Sequence, residues 1–81
     1  MVRRRKKKNL IGEALLRARR QLGVSQKEIA ARLNLRSSAY ISMLENGSRV
    51  PSFKKLFYIA DAFEIDHETL SHVYLTQLGG N

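Results

Sequence analysis

Residues 25–47 read SQKEIAARLNLRSSAYISMLENG, from Ser25 to Gly47. Two short helical patterns stand here with almost nothing between them. Ser25 and Glu28 have the S-x-x-E spacing of a capping box, and Val24 and Ile29 occupy the N′ and N4 positions of a hydrophobic staple, so a helix starts here. Ile29, Ala30 and Leu33 recur at helical spacing and face inward. Asn34 follows, a residue that tolerates the left-handed backbone of a sharp turn. The next helix opens at Ser37 or Ser38, either of which can cap it. It buries Ile41 and Leu44, has Tyr40 at the edge of that stripe, and stops at Asn46-Gly47, glycine being suited to φ > 0. So narrow a stripe leaves Ser38, Ala39, Ser42 and Met43 facing outward, and folding alone gives that bare face no purpose.

Two helices joined by a tight turn make a helix-turn-helix. The first holds the second at a fixed angle, and the second projects its outer face, slim enough to enter a DNA major groove about 12 Å wide. Small residues on that face let the helix sit deep. Ser38 and Ser42 can exchange hydrogen bonds with donors or acceptors, and Ala39 and Met43 can pack against thymine methyl groups. These four are the expected base-reading residues.

The flanks complete an all-α chain. From Leu10 the period is helical, with Ile11, Ala14, Leu15, Ala18 and Leu22 on one face and Gly23 ending the run. A fourth helix is capped by Ser52 after Pro51 and buries Phe53, Leu56, Phe57, Ala60 and Phe63. A fifth starts near Asp66 and carries Leu70, Val73, Tyr74 and Leu78. No strand pattern or internal repeat appears. The organisation read from sequence is a flexible basic arm over residues 1–9, a compact five-helix domain over 10–78, and a tail over 79–81.

Charge points to the partner. The formal net charge is +8 over 81 residues. Arg3, Arg4, Arg5, Lys6, Lys7 and Lys8 stand in a row, and Arg17, Arg19, Arg20, Lys27, Arg32, Arg36 and Arg49 keep the middle basic. After Pro51 the balance turns slightly acidic. Such polarity suits a polyanion on one side of the molecule. There is no cysteine, which excludes disulfides, thiolate zinc sites and cysteine nucleophiles. No apolar run approaches the roughly 20 residues of a membrane span. The segment after the arm, LIGEALLRARR, is amphipathic rather than the apolar core of an export signal, and a cytoplasmic place is expected. His67 and His72 are five apart, a poor spacing for one helical face, so no metal and no cofactor are expected. Nothing pairs a nucleophile with a base, so no enzyme is expected.

A family resemblance rests on IGEALLRARRQLGVSQKEIAARL, YISMLENGSRVPS and LFYIADAFEID, which occur in the correct order and cover nearly all of residues 10–70. Together they resemble the phage-repressor/Cro (XRE-type) helix-turn-helix domain. The resemblance implies a compact lambda-repressor-like bundle of five helices and a small transcriptional regulator, a repressor acting as a dimer on a palindromic operator, of bacterial or phage origin. It gives Gln26 an anchoring role on phosphate and base edge, places Asn46 and Arg49 at backbone contacts, and pairs Arg19 with Glu45 in a partly buried ion pair. It also implies that the arm follows the duplex. The turn NLRSSA is one residue longer than the common family pattern, which often has glycine at the position of Asn34. That length leaves the register of Arg36, Ser37 and Ser38 open, and it brings Arg36 within reach of a phosphate or guanine and Tyr40 within reach of the backbone. Lys27 is a peripheral charge near phosphate.

A chain this short buries only about 60% of its unfolded surface and gains from a partner subunit. The fifth helix, with Leu70, Val73, Tyr74 and Leu78, either simply closes the bundle or, in the favoured reading, closes it and also leaves these residues as an apolar dimer strip for a second copy. A two-fold dimer sets two recognition helices about 34 Å apart, one turn of DNA. The rival readings are an antitoxin with a toxin as protein partner, a controller of restriction–modification genes, and a protein-interaction module that kept the fold without binding DNA.

Overall fold

The computed structural model describes residues 9–79. Among them are five helices and no strand: α1 (Leu10–Leu22), α2 (Gln26–Arg32), α3 (Ala39–Asn46), α4 (Phe53–Ala62) and α5 (His67–Gly79). The all-α, five-helix architecture is the one expected. Arg3, Arg4, Arg5, Lys6, Lys7 and Lys8 lie outside the described residues, as do residues 80 and 81 of the tail. Two boundaries differ from expectation. Asn9, read as the end of the arm, is the N-cap of α1, its Oδ1 accepting the Gly12 N–H at 3.1 Å. Gly79, read as tail, is the last residue of α5.

One device closes three of the helices. Gly23, Asn34 and Glu64 take left-handed backbone, with φ of 72°, 60° and 57°. In each case the next residue donates its N–H to a carbonyl five residues back: Val24 to Arg19 at 3.4 Å, Leu35 to Ala30 at 2.9 Å, Ile65 to Ala60 at 2.8 Å. Val24, Leu35 and Ile65 then lay their apolar side chains against the core. This is the Schellman exit, in which orphan carbonyls are satisfied and an apolar contact fixes the chain's new direction. Asn34 therefore does what its residue type suggested, and it aims the chain into α3.

The core draws on every helix: Ile11 and Leu15 of α1, Ile29 and Ala30 of α2, Ile41 and Leu44 of α3, Leu56, Ile59, Ala60 and Ala62 of α4, then Phe63, Leu70 and Tyr74. α3 lies against α1 and α2, and α5 closes the bundle against α1 and α4. Two hydrogen bonds fasten α5. The buried Tyr74 hydroxyl donates to the Pro51 carbonyl at 2.8 Å, and Gln77 Oε1 accepts the first-turn N–H of Ile11 at 2.7 Å.

The buried stripe of α4 differs from expectation. It runs Leu56, Ile59, Ala60 and Phe63, while Phe57 is only half-buried and Phe53 is 46% exposed. Phe53 is the first residue of α4 and overhangs the rim, its ring against Phe57 at 5.2 Å and Tyr74 at 5.6 Å between centroids. The expected dimer strip also needs correction. Leu70 and Tyr74 are consumed by the protomer's own core, and Val73 packs on its edge, so only Leu78 of the four stands well exposed.

At Gly12, α1 packs tightly against the end of α3. A Cβ there would stand 2.5 Å from the Glu45 carbonyl oxygen and 2.3 Å from Asn9 Nδ2. Alanine is the better helix former by about 1 kcal/mol, yet backbone cannot yield to the added methyl. Gly12→Ala is expected to cost about 2 kcal/mol net, as overpacking does. A urea midpoint lowered without a change of slope would show it, and a raised midpoint would contradict it.

Candidate nucleic-acid interface

α3 is gripped from behind. Ile41 and Leu44 are fully buried, and beside them Glu45 is buried too, at 8% exposure. Its carboxylate collects three donors: Arg19 Nε at 2.7 Å, Arg19 Nη2 at 3.0 Å and Gln26 Nε2 at 2.9 Å. Arg19 Nη1 also donates to the Val24 carbonyl at 3.0 Å. One carboxylate thus joins α1, the start of α2 and the end of α3. The hydrogen bonds from Arg19 to Glu45 raise the guanidinium above its ordinary pKa, against the opposing effect of burial. What Arg19 gains is therefore present throughout the range below the ordinary arginine value and lost only as pH climbs through the higher folded one.

With its back fixed, α3 turns the other side outward. Ala39 is exposed, and Ser38, Ser42 and Met43 are partly exposed; none of the four belongs to the core. Ser38 and Ser42 are four residues apart, as are Ala39 and Met43, about one turn in each case, so the four stand in two adjoining rows. Ser38 is the N-cap residue but makes no side-chain cap hydrogen bond; Ser37 Oγ accepts the Ala39 N–H instead, at 3.3 Å.

Past the end of α3, Gly47 takes φ 87° and the Met43 carbonyl accepts both the Gly47 and the Arg49 N–H, at 3.1 and 3.2 Å. Asn46 Oδ1 accepts the Ser48 N–H at 2.8 Å. The exit loop is therefore folded back on the helix, and it holds Asn46 and Arg49 exposed at that end. Arg36 is exposed at the other end, in the turn, and Lys27 is exposed on α2. Tyr40 sits apart from the outward row. It packs on the core edge and lines a groove with Leu33, Lys55, Tyr58 and Ile59, with Lys55 Nζ 6.0 Å from its ring centroid. The acidic residues Asp61, Glu64, Asp66 and Glu68 are exposed at or beyond the end of α4, whereas Lys54 and Lys55 stand at its start.

Two features escaped the reading of the sequence. Gln26 is bound through its amide nitrogen to Glu45, so its second N–H and its carbonyl oxygen are what it has left to offer. Asn9 joins the site as well, donating from Nδ2 to the Glu45 carbonyl oxygen at 2.9 Å. An asparagine directly before an apolar helical run is an N-cap signal, but its second bond has no sequence signature. His67 pairs with Asp61 at 2.7 Å, and among the described residues no group of three or more His, Asp or Glu is placed to hold a metal.

Known proteins resemble the chain in sequence and in shape. The family model described as a helix-turn-helix domain matches residues 12–76. The uncharacterized HTH-type transcriptional regulator y4dJ of Sinorhizobium fredii is 36% identical over 63 residues, covering 78% of this chain and 80% of that protein. The crystal structure of the wild-type restriction-modification controller protein C.Esp1396I superposes with a TM-score of 0.68 over 90% of this chain and 92% of that one, at 22% identity, a likeness of fold.

Proposed function

The chain belongs to the helix-turn-helix family of DNA-binding transcriptional regulators, and within that family we propose that it is a cytoplasmic, sequence-specific repressor that binds a palindromic operator as a dimer. The observation that carries this reading is the contrast between the two sides of α3: a fully buried Ile41–Leu44 back, and a front on which Ala39 is exposed and Ser38, Ser42 and Met43 are partly exposed, none of them part of the core of the described residues. The front reads base edges. Gln26, held by Glu45, presents its remaining N–H and carbonyl oxygen where α2 begins. Arg36, Asn46, Arg49 and Lys27 contact the phosphate backbone around it, and Tyr40 contributes from the turn side. Arg3 to Lys8 add phosphate contacts beyond the helix. The protein acts by occupancy, with no catalytic step and no cofactor.

The second copy docks on the apolar surface that the core leaves over. Leu75 and Leu78 of α5 are 60% and 55% exposed, and Val50 and Phe53 are 45% and 46% exposed. Leu78 is four residues on from Tyr74, hence on the same side of α5, and Phe53 already touches the Tyr74 ring. A two-fold axis through this patch gives two copies of α3 one helical turn of DNA apart.

Discrimination tests the reading. Met43→Ala and Ser42→Ala are each expected to change preference at one or two base pairs per half-site, by about 1–3 kcal/mol, with the melting temperature nearly unmoved. Competition among duplexes differing at single positions measures it. Equal weakening on every duplex would mean that these residues touch only the sugar–phosphate backbone.

A further inference from the structure

Asn9 is the residue immediately after the six-cation run, and its side chain makes two bonds of different kinds. Oδ1 accepts the Gly12 N–H at 3.1 Å, which caps α1, and Nδ2 donates to the Glu45 carbonyl oxygen at 2.9 Å. That carbonyl is among the last four of α3, which have no partner within their own helix. Two glycines make room for the side chain. A Cβ on Gly12 would stand 2.3 Å from Asn9 Nδ2, and one on Gly47 would stand 2.9 Å from Asn9 Cγ. Capping α1 requires only the first bond. The second ties the place where the cationic run joins the domain to the C-terminal end of α3, beside Asn46 and the loop that carries Arg49.

We propose that Asn9 is a positioning residue for DNA binding, rooting the basic arm on the end of the recognition helix so that arm and helix address one continuous length of duplex. This deepens the DNA-binding reading above and rests on it. A root fixed beside the backbone contacts of α3 raises the local concentration of the arm's cations at the adjacent phosphates. A root held only through the first turn of α1 would leave that concentration to chance fraying.

Two substitutions separate the bonds. Asn9→Asp keeps the cap, since aspartate caps helices as well as asparagine, but its carboxylate cannot donate to the Glu45 carbonyl. Asn9→Ser also caps, is too short to reach that carbonyl, and adds no charge near the arm. Each is made in the full chain with the natural arm and in the full chain with Arg3 to Lys8 all replaced by glutamine. Thermal melts check the fold, and fluorescence anisotropy on a selected duplex at fixed salt gives affinity. With the natural arm both substitutions are expected to weaken binding about tenfold, and with the glutamine arm by less than about twofold. Equal losses in both backgrounds would overturn the proposal, because Asn9 would then act through the placement of α3 itself. No loss in either would overturn it too. An unsubstituted chain that binds no duplex at all would instead bring down the reading on which the proposal rests.

Discussion

Replacing Glu45 by alanine is expected to cost about 3–5 kcal/mol of folding stability, the loss found when one partner of a buried ion pair is removed. Domains of this kind hold only about 5–15 kcal/mol in total, so the variant is expected to be partly unfolded at moderate temperature. The size follows from what is left behind. The Glu45 side chain is 5% exposed and that of Arg19 16%, so the orphaned guanidinium keeps the Val24 carbonyl but loses both bonds to the carboxylate. The Gln26 amide loses its partner at the same time. Glu45→Gln keeps the shape and one acceptor oxygen, and is expected to fall between the two. Replacing the pair together, Arg19→Met with Glu45→Leu, is expected to recover much of the loss, since no buried charge is then stranded. Urea denaturation of the four chains measures all of this. A Glu45→Ala chain within about 0.5 kcal/mol of the unsubstituted one would show the pair to be as weak as an exposed surface bridge.

Neutralising the arm is expected to have the other large effect, on binding rather than folding. With Arg3, Arg4, Arg5, Lys6, Lys7 and Lys8 all changed to glutamine, affinity for DNA near physiological salt is expected to fall by roughly 100-fold or more, because each phosphate neutralised releases condensed counterions. The slope of log affinity against log salt is expected to become shallower by about 5 for each arm, at about 0.9 per phosphate. The preferred sequence is expected to stay the same, since phosphate contacts position a protein without carrying sequence information. Binding isotherms from low to moderate salt, with the natural and the glutamine arm, separate these quantities. An unaltered slope would make the arm a bystander. An altered preferred site would mean that the arm reaches into a groove.

Much of this structure was legible in the sequence because its signals are local. The Ser25 cap is real, its Oγ accepting the Glu28 N–H at 3.0 Å, although the Glu28 carboxylate leans toward Arg32, 3.9 Å away, instead of returning to complete the box. Gly23, Asn34 and Gly47 announced left-handed exits because glycine and asparagine carry little penalty there. Glu64 makes the same turn with no such signal. Its conformation is held from outside, by the Ile65 side chain on the core and by Arg32, whose Nη1 donates to the Ala62 carbonyl at 2.9 Å and to Glu64 at 3.0 Å. Helical period gave the right faces of α1, α2 and α3. It misjudged α4 and α5 because periodicity assigns a face without saying where the bundle ends. Phe53 lies in phase with Leu56 but past the rim, and Leu70 and Tyr74 are in phase with Leu78 but beneath it. The Arg19–Glu45 pair was reached only through the family resemblance; the part of the site that sequence could not supply is the pair of long-range bonds that bring Asn9 and Gln26 to Glu45, which depend on three helices already being in place.

The front of α3 as a reader of base edges is tested most directly by selecting bound sequences from a random duplex pool, with the unsubstituted chain and with Met43→Ala side by side. The unsubstituted chain is expected to enrich a two-fold symmetric motif whose half-sites are centred about 34 Å apart, and Met43→Ala to enrich a motif altered at the same one or two positions in each half. Recovery of no motif, or of one identical motif from both chains, would contradict it.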